Sequence, residues 1–248
     1  MANKTFGALI IHGFTSSLDC VKGLQPPLAA LGLPTRMPVL RGHGAATPDA
    51  LRGVGWQDWV ADGEAALADL LTEVERVIVV AHSMGTLVAI NLAADHRSDI
   101  DSVVLAAPAV QLASPIAPGR PLGFLVPVVR RVLRKWDMPP KRADPALLHN
   151  DTNYPWAPME AIAQMLAFSK QARDRLPEVN VPTLVLQSRA DTTVLPISAE
   201  IVLGGSATQP ADSRILWFER TEHEMFLDVE ADAVIAAVVD YVRARISG

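Results

Sequence analysis

Ala81-His82-Ser83-Met84-Gly85 sets a serine between small residues two positions to either side, just after the apolar run Val77-Ile78-Val79-Val80 and just before a helical pattern. A sharp strand-to-helix turn of this kind exposes a serine hydroxyl at the carboxyl edge of a sheet, and small flanking residues relieve the crowding. That hydroxyl is a weak nucleophile until a base takes its proton. For this turn type an acid and then a histidine are expected further along the chain. Asp191, in Ser188-Arg189-Ala190-Asp191, follows the apolar run 183–187, and His223, in Thr221-Glu222-His223-Glu224, follows the run 214–218. All three fall at the carboxyl ends of expected parallel strands, the edge where open α/β sheets bind ligands. Together they could perform acyl transfer, with Ser83 as nucleophile, His223 as base and Asp191 orienting the base. The plainer alternative is that Ser83 serves only as a helix N-cap.

Acyl transfer also needs donors for the oxyanion of a tetrahedral intermediate. His12-Gly13-Phe14 closes the first expected strand, and the backbone N–H groups of Phe14 and Met84 are the expected donors, the latter at a helix N-terminus. The alternative for His12-Gly13 is a simple glycine turn. Other ionisable residues suit the chemistry less well. Asp212 precedes a strand, at the wrong edge, and Asp228 is expected to open the last helix, where a carboxylate suits the dipole. Glu222 and Glu224 are expected to be solvated, His82 to point elsewhere on the turn, and His96 and His149 to be surface residues. No histidine, cysteine and carboxylate set has metal-ligand spacing, so no metal site is expected.

The elements that must position these groups alternate short β-rich runs with longer helical patterns, which predicts a mostly parallel sheet with helices on both faces. Strands are expected at 6–11, 35–39, 76–81, 102–107, 183–187 and 214–218. Helices are expected near 18–31, at 56–74, 84–95, near 197–203, and at 229–246. The proline-rich stretch from 108 to 181 breaks the alternation and reads as helices and loops with no strand of its own. Placed after a sheet strand, it is a candidate cap over the site, at about 110–180. Within it, Leu125, Val128, Val129, Val132, Leu133 and Trp136 recur on one face of an expected helix over 122–136, with Arg130, Arg131, Arg134 and Lys135 on the remainder. One reading is a cap helix with a solvated basic face. The other adds a pocket wall and transient contact with an anionic lipid surface.

At 248 residues the chain fits one α/β domain, 1–248, carrying that insertion. Half of the residues are hydrophobic and a fifth charged, so a large core is available. The net charge of -5 gives no reason to expect nucleic acid as a partner. Cys20 is the single cysteine, which excludes an intrachain disulfide. No apolar run reaches the roughly 18 residues that span a bilayer, and the N-terminus lacks a signal-peptide pattern, so a soluble cytoplasmic protein is expected.

His12-Gly13-Phe14-Thr15, Arg41-Gly42-His43-Gly44, Trp56 through Trp59, the serine turn, Ala190-Asp191 and His223 resemble the bacterial carboxylesterase and monoacylglycerol lipase branch of the α/β-hydrolases. The resemblance covers the core on both sides of the insertion and is weakest over about 110–175. It implies a cofactor-free, two-step acyl-enzyme mechanism on small esters or monoacylglycerols, with a small helical cap. It further implies that Arg41-Gly42-His43-Gly44 is a structural loop near the site. Ala81 stands where the family turn usually has glycine, and Glu222 stands where glycine often precedes the histidine. The same triad could instead cleave thioesters, amides or carbon–carbon bonds, and a hydrolase-like binding protein is the third reading.

Overall fold

The computed structural model describes residues 5–118, 120–121 and 133–247. Its main sheet has six strands: β1 (Phe6–Ile11), β2 (Thr35–Arg36), β3 (Arg76–His82), β4 (Ile100–Ala106), β7 (Thr183–Ser188) and β8 (Ser213–Phe218). They run in the order β2-β1-β3-β4-β7-β8, and every adjacent pair is parallel. This is the α/β-hydrolase arrangement of sheet and helices expected from the sequence. β3 shows why the central strands read as unbroken apolar runs. Val77, Val79 and Ala81 face one core cluster while Ile78 and Val80 face the other, so neither side meets water.

Helices α1 (Gln25–Ala29), α2 (Trp56–Leu70), α3 (Met84–Asp95), α5 (Ile197–Gly205) and α6 (Ala231–Ser247) cover the sheet, and α4 (Met159–Asp174) packs on α2 and α3. Every residue of α3 from Met84 to Ala94 is buried, as expected of a helix that is apolar all round. Gly63 lets α2 approach α3 closely, since a Cβ there would lie 2.5 Å from Val88 Cγ1. α6 buries Val234, Val238, Tyr241 and Val242, one stripe at helical spacing. Among the described residues no helix is long and apolar enough to cross a membrane.

Three sequence expectations are corrected. The helix near 18–31 is two 3₁₀ turns followed by the five-residue α1, because Pro26 and Pro27 have no N–H and can only begin an α-helix. The second strand stops at Arg36, hemmed by Pro34 and Pro38. The stretch between β4 and β7 does contain strands, β5 (Lys135–Asp137) and β6 (Trp156–Pro158), paired antiparallel with Trp136 opposite Ala157. Runs of three residues are too short to show the two-residue alternation by which strands are read. The helix expected over 122–136 lies outside the described residues through 132, and Lys135 and Trp136 belong to β5 instead.

Candidate functional site

Ser83 sits at φ 52 and ψ −119, a backbone conformation that costs a serine about 1–3 kcal/mol unless its surroundings enforce it. The surroundings do so from both sides. The N–H of Ser83 donates to the Ala106 carbonyl at 2.9 Å, continuing the β3–β4 ladder, while α3 starts at the next residue. Gly85 is the residue that allows this packing, since a Cβ on it would lie 2.6 Å from the carbonyl oxygens of Ile11 and His12. The alanine at position 81 is accommodated inside β3, fully buried. No side-chain cap bond is made by Ser83, which sets aside the N-cap alternative.

The structure brings the three residues singled out in the sequence together. His223 Nε2 lies 2.8 Å from Ser83 Oγ, and His223 Nδ1 lies 2.9 Å from Asp191 Oδ2. The other carboxylate oxygen of Asp191 accepts the N–H groups of Thr193 (2.8 Å) and Val194 (2.9 Å), so the carboxylate is held by its own loop. Burial works against a charge on Asp191, but His223 and the two backbone donors outweigh it and keep the carboxyl below its ordinary range. Burial likewise favours a neutral His223, yet Asp191, with Glu224 and Glu222 behind it, raises the imidazole above an ordinary histidine.

The loop after β1 packs directly on the serine turn, where a Cβ on Gly13 would lie 3.0 Å from Ser83 Cβ. His12 fixes this loop by donating from Nδ1 to the Gly13 carbonyl (2.8 Å) and accepting the Leu40 N–H at Nε2 (3.1 Å). Burial pushes His12 down to about 4 and His43 down to about 3, so both are neutral structural rings. The Arg41–Gly44 loop is tied to α2 by Arg41 ion pairs to Asp58 (2.6 Å) and Asp62 (2.9 Å). Among the described residues, neither the Phe14 N–H nor the Met84 N–H has a hydrogen-bond acceptor.

Two expectations about neighbouring carboxylates are overturned. Glu222 and Glu224 are buried, not solvated. Glu222 accepts the backbone N–H of His223 (2.6 Å) and of Thr192 (3.2 Å), joining the two loops that carry His223 and Asp191. Glu224 accepts from Asn153 Nδ2 at 2.9 Å and lies 4.0 Å from His82 Nδ1. Burial opposes its charge, but His82, His223, Arg142 and the Asn153 bond hold its carboxyl below the ordinary range. Asp228 does not open the last helix, which begins at Ala231. It accepts the backbone N–H groups of Glu222 (2.6 Å), Ala143 (2.8 Å) and Val229 (2.9 Å) and so staples the histidine loop to the segment between β4 and β7.

His82 does point away from the nucleophile, donating from Nε2 to the His223 carbonyl at 2.9 Å. Its Nδ1 side faces Cys20 and Glu224, and one potential ligand atom from each of the three lies within 4.8 Å of the others. Sequence spacing could not reveal a trio drawn from three distant segments. It is one donor short of a tetrahedral metal cage, and the Arg142 guanidinium beside Glu224 disfavours a second cation. His96 is half-buried near Asp99 and His149 is exposed.

Ser83 and His223 open onto a cavity of about 400 Å³. Leu112, Trp136, Met138, Ile162, Met165 and Leu166 form an apolar wall, while Thr15, Arg142, Asn153 and Glu224 form a polar one. Ile162, Met165 and Leu166 present one face of α4 to it, at the i, i+3, i+4 spacing of neighbours on a helix. Arg142, Asn153 and Glu224 were missed in the sequence. The one available signal was a second charged residue beside His223, interrupting an otherwise apolar run, His223-Glu224-Met225-Phe226-Leu227.

Sheet order, serine turn and site edge together define an α/β-hydrolase. The chain belongs to the family described as Serine aminopeptidase, S33, which it matches over residues 7–230. It is 26% identical over 239 residues to a thermostable monoacylglycerol lipase of Bacillus sp. (strain H-257), covering 96% of this chain and 91% of that one. A carboxylesterase of Bacillus subtilis (strain 168) is 23% identical over 94% of this chain and 91% of its own. Among solved structures, one described under the metagenome-derived lipolytic enzymes LipS and LipT superposes with a TM-score of 0.87 at 23% identity, covering 98% of this chain and 95% of that one.

Proposed function

We propose that the chain is a serine carboxylic-ester hydrolase, acting through an acyl-enzyme on small esters whose acyl part is apolar, monoacylglycerols included. The observation that carries this reading is the unbroken path Ser83 Oγ–His223 Nε2 (2.8 Å) and His223 Nδ1–Asp191 Oδ2 (2.9 Å) at the floor of a cavity with one apolar wall. Neutral His223 takes the Ser83 proton as the oxygen attacks the ester carbonyl, and Asp191 orients the ring and stabilises the imidazolium. The N–H groups of Phe14 and Met84 receive the oxyanion. His223 then protonates the departing alcohol, and water repeats the sequence to release the acid. No cofactor takes part in this scheme.

The segment of about 110–180 serves as a cap on a single hydrolase domain, its apolar wall taking the acyl chain and its polar wall the alcohol. Relatives named monoacylglycerol lipase and carboxylesterase support the ester assignment. Contact of the cap with an anionic lipid surface belongs to the same proposal, and exposed Leu133, Arg134 and Lys135 support it. The test is a panel of matched ester, thioester and amide substrates, then esters graded in acyl length and with glycerol or a simple alcohol. The expected result is ester cleavage that improves with acyl length. Faster cleavage of the matched amide would overturn the proposal.

A further inference from the structure

Residues 151–154, within the segment between β4 and β7, reach three of the loops that surround Ser83. Thr152 Oγ1 lies 3.3 Å from Ser17 Oγ, and Asn153 Nδ2 donates to Glu224, next to His223. The backbone N–H of Tyr154 donates to the Thr15 carbonyl at 2.7 Å. The Tyr154 hydroxyl accepts the Ala45 N–H at 2.8 Å and donates to the Gly42 carbonyl at 3.1 Å. Its ring stacks on His43, with planes 10° apart, and His43 in turn packs edgewise on Phe14. Asp151 anchors this short strap through a buried ion pair with Arg142 at 2.8 Å.

The position that Tyr154 holds is a strained one. Thr15 has φ 61, a left-handed conformation that is an outlier for a β-branched residue and persists only where its surroundings over-determine it. The Thr15 hydroxyl donates to the Phe14 carbonyl at 2.6 Å, so the peptide after Phe14 is set by Thr15. Tyr154 therefore grips the loop twice: through the chain at Thr15, and through its hydroxyl and ring, which bond Gly42 and Ala45 on either side of His43 and hold the His43 ring against Phe14. We propose that Tyr154 is a positioning residue for the Phe14 N–H, making the docking of this segment and the assembly of the oxyanion site a single event. This rests on the reading of Ser83 and Phe14 given above.

The experiment compares Tyr154→Phe and Tyr154→Ala with the native enzyme below their melting temperatures. The readouts are kcat, KM, and affinity for an alkylboronic acid, which forms a tetrahedral anion on the serine. A misplacement of this kind costs up to about a hundredfold in rate. The expected losses in kcat are about tenfold for the phenylalanine and about a hundredfold for the alanine, with KM within about twofold and boronate affinity falling in parallel with kcat. Lys170→Ala, at an exposed position of α4 outside the strap, should leave kcat unchanged. A melting temperature that drops while kcat and boronate affinity hold would overturn the proposal, as would a rise in KM alone. In the native protein, boronate should slow hydrogen exchange at the Tyr154 and Ala45 amides, by the reciprocity of coupled sites. Unchanged exchange there is a second contradicting result, one that needs no variant to fold. Failure of the native protein to take boronate at Ser83 would instead strike the proposed function itself.

Discussion

The carboxyl edge of the sheet and the segment between β4 and β7 are held in place differently. At the edge, Ser83, Asp191 and His223 each follow closely on a strand of the main sheet; the Ser83 N–H continues the ladder to Ala106, and N–H groups of its own loop hold the Asp191 carboxylate. Among the described residues the segment carries the three-residue strands β5 and β6 and the helix α4, and it meets the rest at scattered points: Asn153 on Glu224, the Tyr154 hydroxyl on Gly42, the Tyr154 N–H on the Thr15 carbonyl, and Asp228 back on the Ala143 N–H. A constellation set at strand ends follows from strand pattern and chain order. A wall joined at scattered points depends on which distant residues happen to meet. In the proposed function the first carries the chemistry and the apolar wall of the second, Tyr154 apart, the choice of substrate, so substitutions in the edge and in that wall should fail in different ways.

The largest effects belong to the edge. Ser83→Ala should lower kcat on the order of a million-fold with the fold retained, seen as a loss of ester turnover with an unchanged circular-dichroism melt. Asp191→Asn should cost on the order of ten-thousand-fold, because the amide sets the wrong tautomer of His223. An Asp191→Asn enzyme with most of its turnover intact would move the acid elsewhere and dissolve the contrast between the regions.

Effects in the cavity wall should be smaller and selective. Met165→Trp fills the apolar side, and should lower kcat/KM for long-chain esters by about 10- to 200-fold while short-chain esters are spared. Equal losses on both chain lengths would show that the wall supports the chemistry and not the choice.

The pH profile links the two regions through Glu224. His223 must be neutral to accept a proton and its pKa is raised, so activity should fall as the pH drops through a value above that of an ordinary histidine. Glu224→Gln removes a nearby negative charge that favours the imidazolium, and should move that acid limb to lower pH. A limb that stays in place would remove Glu224 from the electrostatics of the site. The smallest effect on turnover is expected from Arg134→Gln with Lys135→Gln. Hydrolysis of soluble esters should be unchanged while binding to anionic vesicles weakens, by about fivefold per residue. Equal vesicle binding by native and substituted proteins would leave the proposed cap as a pocket wall only.

How much could be read beforehand follows the same division. β3 and α3 were legible because Val77–Val80 and Met84–Asp95 carry strong, uninterrupted patterns, and the small residues at 81 and 85 marked the turn between them. Asp191 and His223 were legible because each follows such a strand. The burial of Glu222 and Glu224 was not, since their partners, Thr192 and Asn153, lie 30 and 71 residues away. β5 and β6 were not, since three residues show no period. Nor was Tyr154, whose contacts at Thr15, Gly42 and Ala45 come from two loops more than a hundred residues earlier.

Formation of an acyl-enzyme on Ser83 is the step that separates the proposed hydrolase from a protein that only binds esters. The measurement is rapid mixing with an activated ester such as a p-nitrophenyl acylate, acid quench, and peptide mass mapping of the trapped protein. One acyl group per chain on the peptide carrying Ser83, with a burst of released alcohol of matching size, is the predicted result. An acyl group on another residue, or steady ester turnover with no acylated protein at any quench time, would contradict it.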